Sequence, residues 1–142
     1  MNFLEYEKQC AFQQEKNEEY LKIFKKELEK AKTAKRSIAN HLTNVDFYIN
    51  NYLLRFEPLP MNEGCKSIDD FLGYFYIYKC IWSNPTNIKI TAISIKKFYK
   101  CMFKHGFVSL EEYQCLCDTI DNNMDNWVKE CSKYKVRIKD FI

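Results

Sequence analysis

Five lysines are the residues of this chain whose type and spacing most clearly suggest a chemical role. On a helix of 3.6 residues per turn they fall within an arc of about 100°. Ammonium groups aligned in this way can contact the phosphates of a nucleic acid. No Asp or Glu occurs from Phe71 to Leu110, so these charges have no acidic neighbour in the sequence. The five are Lys89, Lys96, Lys97, Lys100 and Lys104.

One predicted helix, from Thr86 to Gly106, must position these lysines. Pro85 precedes it and Gly106 supplies a stop signal. Its apolar stripe, at spacings of three and four, consists of Ile88, Ala92, Ile95, Tyr99 and Met102. In a major groove such a helix could also offer Ser94 or Asn87 to base edges. The alternative is a solvated lysine face, although a solubilising face normally mixes both signs.

A second group of basic residues lies near the start of another predicted helix, from Thr33 to Phe56. Lys35 and Arg36 fall in its first turn, where cations oppose the helix dipole and do not favour helix stability. His41 follows on the same polar side. Lys35, Arg36 and His41 are therefore candidates for a ligand-facing role, with an ordinary exposed helix start as the alternative.

The cysteines and histidines predict neither a metal site nor a catalytic pair. The chain has seven cysteines and two histidines, without any C-x-x-C spacing. Cys115 and Cys117 are nearest in sequence, but their thiols diverge by about 200° on a helix. His105 fits a helix C-terminus, where the dipole favours it. Apolar helical positions suggest that Cys80, Cys101, Cys117 and Cys131 are small core residues. We expect no metal, no cofactor and no catalytic activity.

Composition predicts a helical fold. The chain has 142 residues, 46% of them hydrophobic, and only three glycines and three prolines, which argues for long helices over a turn-rich sheet. An odd number of cysteines without a secretion signal indicates reduced thiols and a cytoplasmic location. We expect one core that contains Ile38, Val45, Ile49, Phe71, Phe75, Ile88, Ile95, Tyr99, Leu116, Ile120 and Trp127.

The other segments complete an all-α prediction. Residues 1–32 form a long amphipathic helix with an almost wholly polar middle, which either packs on the domain or binds a helical partner or a second copy. Residues 33–142 form the helical domain. Ser67 to Asp70 and Ser109 to Glu112 each read as a capping box that opens a helix, and capping explains Asp69 and Asp70 better than acid–base catalysis does.

Residues 83–106, from Ser83-Asn-Pro through Phe98-Tyr99 to Gly106, resemble part of a known domain. They are similar to the third-to-fourth helix passage of the SAM-like core-binding domain of tyrosine recombinases (phage integrases). Residues 33–56 resemble that family's opening helix, and residues 67–72 resemble the helix that follows. The resemblance implies a compact orthogonal bundle of four to five helices that clamps one side of double-stranded DNA. It assigns the DNA contacts to the five lysines of the predicted helix from Thr86 to Gly106 and, in the second group, to Lys35, Arg36 and His41.

The catalytic part of that family is missing from this pattern. Neither His41 to Asn44 nor His105 to Val108 matches the family's H-x-x-R element, and its catalytic arginines and nucleophilic tyrosine are absent. The sequence therefore predicts a DNA-binding module without catalysis. The rival interpretation is a helical protein-interaction module that uses the N-terminal helix and has no DNA role. Acids from elsewhere that interrupt the lysine face would favour the rival.

Overall fold

The computed structural model describes residues 1–141, with side chains through Lys139, and all regular secondary structure in this part of the chain is helical. It forms a compact bundle of five helical bodies, which confirms the all-α prediction and the long N-terminal helix. Two of the bodies contain a π-helical segment. The elements are α1 (Phe3–Lys30), α2 (Lys35–Asp46) with a π segment (Phe47–Tyr52), α3 (Gly64–Asp70) with a π segment (Phe71–Phe75) and α4 (Tyr76–Lys79), α5 (Pro85–Lys104) and α6 (Leu110–Phe141).

The predicted core is nearly complete in the structure. Of the eleven residues named, ten are buried, and Phe75 is partly buried against the same cluster. The apolar stripe of α5 is at most 2% exposed throughout. The 3.6-residue repeat therefore identified the inner faces correctly. None of the helices in residues 1–141 has the length and apolar character needed to cross a bilayer.

The polar middle of α1 is partly an inner face. Asn17 is fully buried, and its amide donates to the Ile49 carbonyl at 3.2 Å and to Asn50 Oδ1 at 2.8 Å. Tyr6 donates its hydroxyl to the Leu54 carbonyl. Because α1 supplies donors to carbonyls in and beyond the π segment after α2, it packs on the bundle despite its thin apolar stripe.

Tyrosine hydroxyls fasten the start of α3 to the core. Tyr48 donates to the Gly64 carbonyl at 2.5 Å, and Tyr99 donates to the Met61 carbonyl at 2.7 Å. A Cβ on Gly64 would lie 2.0 Å from the Tyr99 hydroxyl oxygen, so only glycine fits between these rings. The two π segments pack together here, with the Tyr48 and Phe71 ring centroids 4.6 Å apart.

The capping predictions have opposite outcomes. At Ser109 the box is confirmed, since Glu112 N donates to Ser109 Oγ at 3.0 Å and Ser109 N donates to Glu112 Oε1 at 2.9 Å. At Ser67 it is wrong, because α3 has already begun at Gly64 and Ser67 Oγ donates back to the Glu63 carbonyl.

The two acids of the motif at Ser67 make tertiary contacts instead of capping a helix. Asp69 accepts from Trp127 Nε1 at 2.8 Å, and Asp70 accepts from the Tyr52 hydroxyl. The helical run from α2 also ends earlier than predicted, at Tyr52, and leaves Phe56 80% exposed.

Candidate nucleic-acid interface

The helix that carries the lysines is fixed at both ends by its sequence. Asn84 caps it by accepting from Asn87 N at 2.7 Å, and Pro85 occupies the first helical position. Gly106 ends it with a φ of 80°. Since the apolar stripe of α5 faces the core, the lysines project from the opposite side. Lys89, Lys97, Lys100 and Lys104 are exposed, and Lys96 is partly buried.

Acids from two other helices pair with two of the five lysines. Lys96 Nζ lies 2.5 Å from Asp121 Oδ1 of α6, and Lys104 Nζ lies 3.5 Å from Glu27 Oε1 of α1. The lysine face is therefore interrupted at its borders. This is the arrangement that favours the rival interpretation, and it removes Lys96 and Lys104 from the residues most available to phosphates.

The three other lysines remain open to solvent. Lys89, Lys97 and Lys100 form no ion pair with any side chain of residues 1–139. They lie on the part of α5 that faces away from the core. An exposed, unpaired ammonium can contact an anionic ligand without first breaking an internal ion pair.

The start of α2 lies beside the second half of α5. His41 Nδ1 lies 2.7 Å from Ser94 Oγ, and Asn44 donates to the same hydroxyl at 3.0 Å. Phe47, directly after α2, packs against Trp82, which precedes α5, with ring centroids 5.4 Å apart. As α2 advances, its neighbours on α5 move back along the chain, so the two helices are antiparallel. Residues 35 and 36 therefore lie toward the end of α5 that carries Lys97.

The first turn of α2 is an electropositive helix end. Its N-cap residue, Ala34, provides no side-chain hydrogen bond, and no acid lies in the first turn. Lys35 and Arg36 are both exposed there. The unsatisfied amide groups and the positive end of the helix dipole add to these two cations.

His41 and the candidate base-reading residues make internal contacts that work against the roles predicted for them. Partial burial, together with the nearby Lys97 charge, lowers the pKa of His41, so its imidazole is neutral at pH 7. Ser94 is fully buried, and its hydroxyl also donates to the Ile90 carbonyl. Asn87 donates its amide to the Trp82 carbonyl at 2.8 Å. We therefore assign no base contact to Ser94 or Asn87 and no charge to His41.

The sequence did not predict a neutral cleft that borders this surface. The cleft holds about 280 Å³ between α2, α4 and α5. Trp82, half exposed, forms one side, and the other lining groups are amides, hydroxyls and an aliphatic side chain. The lining residues are Asn40, Thr43, Asn44, Tyr76, Trp82, Asn87, Ile90 and Thr91. The asparagines of α2 were visible in the sequence, but their meeting with Trp82 depends on the antiparallel packing.

Comparison with known proteins identifies no relative, since no protein family, curated protein or solved structure matches the chain. The resemblance to recombinase core-binding domains thus remains a prediction from the motif alone.

Proposed function

We propose that the protein is a non-catalytic DNA-binding module that contacts the backbone phosphates of a duplex. The contact surface, which we call the α2–α5 face, consists of Lys35, Arg36, Lys89, Lys97 and Lys100. The observation that supports it is the packing of α2 on α5, two helices that each carry exposed cations. None of the five is in an ion pair within the described side chains.

The α2–α5 face supports backbone contacts better than base recognition. Lysine is a flexible point charge and does not match a base edge in the way that a bidentate guanidinium does. Ser94 is buried and Asn87 is engaged by Trp82, so neither side chain is available for a base edge. We therefore expect weak binding that tolerates different DNA sequences.

The charge count sets the expected salt dependence. Neutralising five phosphates gives a slope of log K against log salt of about −4.5, and the three open lysines of α5 alone would give about −2.7. The test is a fluorescence-anisotropy titration of duplex DNA at several salt concentrations. The proposal covers DNA binding and not the recombination reaction, because the H-x-x-R element is absent from this sequence.

A second candidate function, self-association through the N-terminal helix, has its own structural support. Phe3, Leu4 and Phe12 of α1 are each at least 60% exposed. Tyr6 bonds to the Leu54 carbonyl, which places the loop that holds Phe56 near the same end of α1. Exposed apolar surface of this kind is typical of protein interfaces.

The occupant we propose for that surface is a second copy of the chain. Light scattering over a range of protein concentrations tests this candidate. A dimer that is converted to a monomer by Phe3→Ser and Phe56→Ser would support this candidate. A monomer at every concentration would exclude it.

A further inference from the structure

Three metal-ligating side chains from two helices meet near the C-terminal end of α5. Cys101 and His105 are four residues apart, so one turn of helix brings their side chains to the same side. Glu27 of α1 reaches the same place. One ligand atom of each lies within 4.8 Å of the other two.

We propose that Glu27, Cys101 and His105 bind a divalent transition-metal ion of the Zn²⁺ or Co²⁺ type. A thiolate sulfur, an imidazole nitrogen and a carboxylate oxygen are the donors that zinc takes in proteins, whereas Mg²⁺ and Ca²⁺ take oxygen donors. Three protein ligands leave a fourth tetrahedral position for water. Ligand bonds of about 2.0–2.3 Å require the three side chains to close around the ion by about 1 Å.

The surroundings allow this exchange of partners. The Glu27 carboxylate now lies within 4.8 Å of the Cys101 sulfur and pairs with Lys104. Metal binding would replace the thiol proton by a sulfur–metal bond and release that proton to solvent. The ammonium of Lys104 is half exposed and can turn away at little cost, because exposed ion pairs contribute little stability. His105 is exposed, so the ion has a path from solvent, while Cys101 is only 1% exposed and forms the inner wall.

The site would fasten α1 to α5. In this region Tyr20 of α1 packs edge-on against Phe107, with ring centroids 5.0 Å apart, and the His105 ring lies nearly parallel to that of Phe107, with centroids 6.4 Å apart. A metal bridge from Glu27 to α5 adds a direct connection between the two helices. Metal should therefore raise the stability of the whole chain and slow local opening of the second half of α1.

The experiment is a Co²⁺ titration of the untagged, reduced full chain after treatment with a chelator. We expect a near-ultraviolet thiolate-to-cobalt band that saturates at about one ion per chain, and a higher Tm with Zn²⁺. Cys101→Ala and His105→Gln should each weaken binding by more than about 100-fold. Cys115→Ala and His41→Gln remove an exposed thiol and the other histidine, and they should leave binding unchanged.

Three results would overturn the proposal: no thiolate band, a band that survives Cys101→Ala, or an equal loss in Cys115→Ala. Because His105 is on the surface, His105→Gln should remain folded, and its circular dichroism spectrum checks this. Hydrogen exchange provides an independent readout, since Zn²⁺ should slow exchange in residues 20–30 of the natural chain and not in His105→Gln. Equal exchange with and without Zn²⁺ in the natural chain would also contradict the site.

Discussion

Lys96 and Asp121 form an ion pair of 2.5 Å that joins the basic helix α5 to α6. The Lys96 side chain is 33% exposed, and the pair occupies the border of the lysine face. A cation held in this way must leave its carboxylate before it can reach a phosphate. Lys96 therefore connects two helices, whereas Lys89, Lys97 and Lys100 are open to a ligand.

Releasing Lys96 should strengthen DNA binding. In Asp121→Asn the ammonium of Lys96 becomes available for one more phosphate, so the slope of log K against log salt should steepen by about 0.9. Anisotropy titrations at several salt concentrations measure it. Asp118→Asn, which removes an exposed and unpaired acid from the same helix, controls for the general loss of negative charge. Equal slopes in the two variants would show that Lys96 does not reach the DNA.

The pH dependence of stability should report the environment of His41. Its folded pKa lies below the usual 6.5, so the unfolded chain binds the proton more readily. The contribution of His41 is therefore complete above about pH 6.5 and is lost as the pH falls toward the folded pKa. Urea unfolding in a chelating buffer should show a larger loss between pH 7.5 and 5.5 in the natural chain than in His41→Gln. An equal loss in both, or an NMR titration with a pKa above 6.5, would contradict the assignment.

His41→Gln should not weaken DNA binding at pH 7.5. The neutral imidazole carries no charge to a phosphate, so both the affinity and the salt slope should match those of the natural chain. A salt slope that is shallower by about 0.9 in His41→Gln would mean that His41 binds a phosphate as a cation.

Gly64 should not tolerate even one added methyl group. Its backbone is an ordinary helical one, with φ of −60°, so the effect of Gly64→Ala comes from crowding against Tyr99 and Tyr48. We expect a loss of about 1–3 kcal/mol in the free energy of unfolding. Tyr99→Phe removes the nearest atom, so the double variant should lose less than the sum of the two single changes. If the losses in the free energy of unfolding of the two single variants add strictly, or if Gly64→Ala is as stable as the natural chain, position 64 is not crowded by Tyr99.

Asn17 should matter more than its polar character suggests. Asn17→Ala leaves the Ile49 carbonyl and Asn50 without their donor, at a cost of about 1–3 kcal/mol for buried groups. Gln14→Ala, on the exposed side of α1, should stay within about 0.5 kcal/mol of the natural chain. Denaturant unfolding compares the two. A neutral Asn17→Ala would mean that water replaces the amide in this contact.

The sequence predicted those features that depend on local periodicity. The stripe from Ile88 to Met102 marks the buried side of α5 because the 3.6-residue repeat of a single helix is enough to define its face. The Ser109–Glu112 box was equally local, since both of its hydrogen bonds join residues three apart. The seven cysteines, all within the described residues, are unpaired, as their odd number and placement indicated.

Contacts between distant segments could not be predicted in this way. Nothing near Lys104 in the sequence points to Glu27. The burial of Asn17 could not be predicted either, because its acceptors, at Ile49 and Asn50, belong to a distant part of the sequence. Ser67 had the right residues for a cap, but Gly64 and Cys65 had already begun the helix, so the motif lies inside it. The cluster of Glu27, Cys101 and His105 could not be predicted either, because Glu27 is distant in the sequence from the other two. The sequence pattern assigned Cys101 to the core and His105 to a helix end.

The most direct test of the proposed function is the salt dependence of DNA binding in a triple variant of the α2–α5 face. Lys89→Gln, Lys97→Gln and Lys100→Gln together leave two cations on the face, so the slope should fall from about −4.5 to about −1.8. The Tm should stay nearly unchanged, because all three side chains are exposed. A control with three exposed lysines of α1 replaced, Lys8→Gln, Lys26→Gln and Lys30→Gln, removes the same charge elsewhere and should keep a slope near −4.5. No binding of the natural chain at low salt, or equal slopes in the two triple variants, would contradict DNA binding through this face.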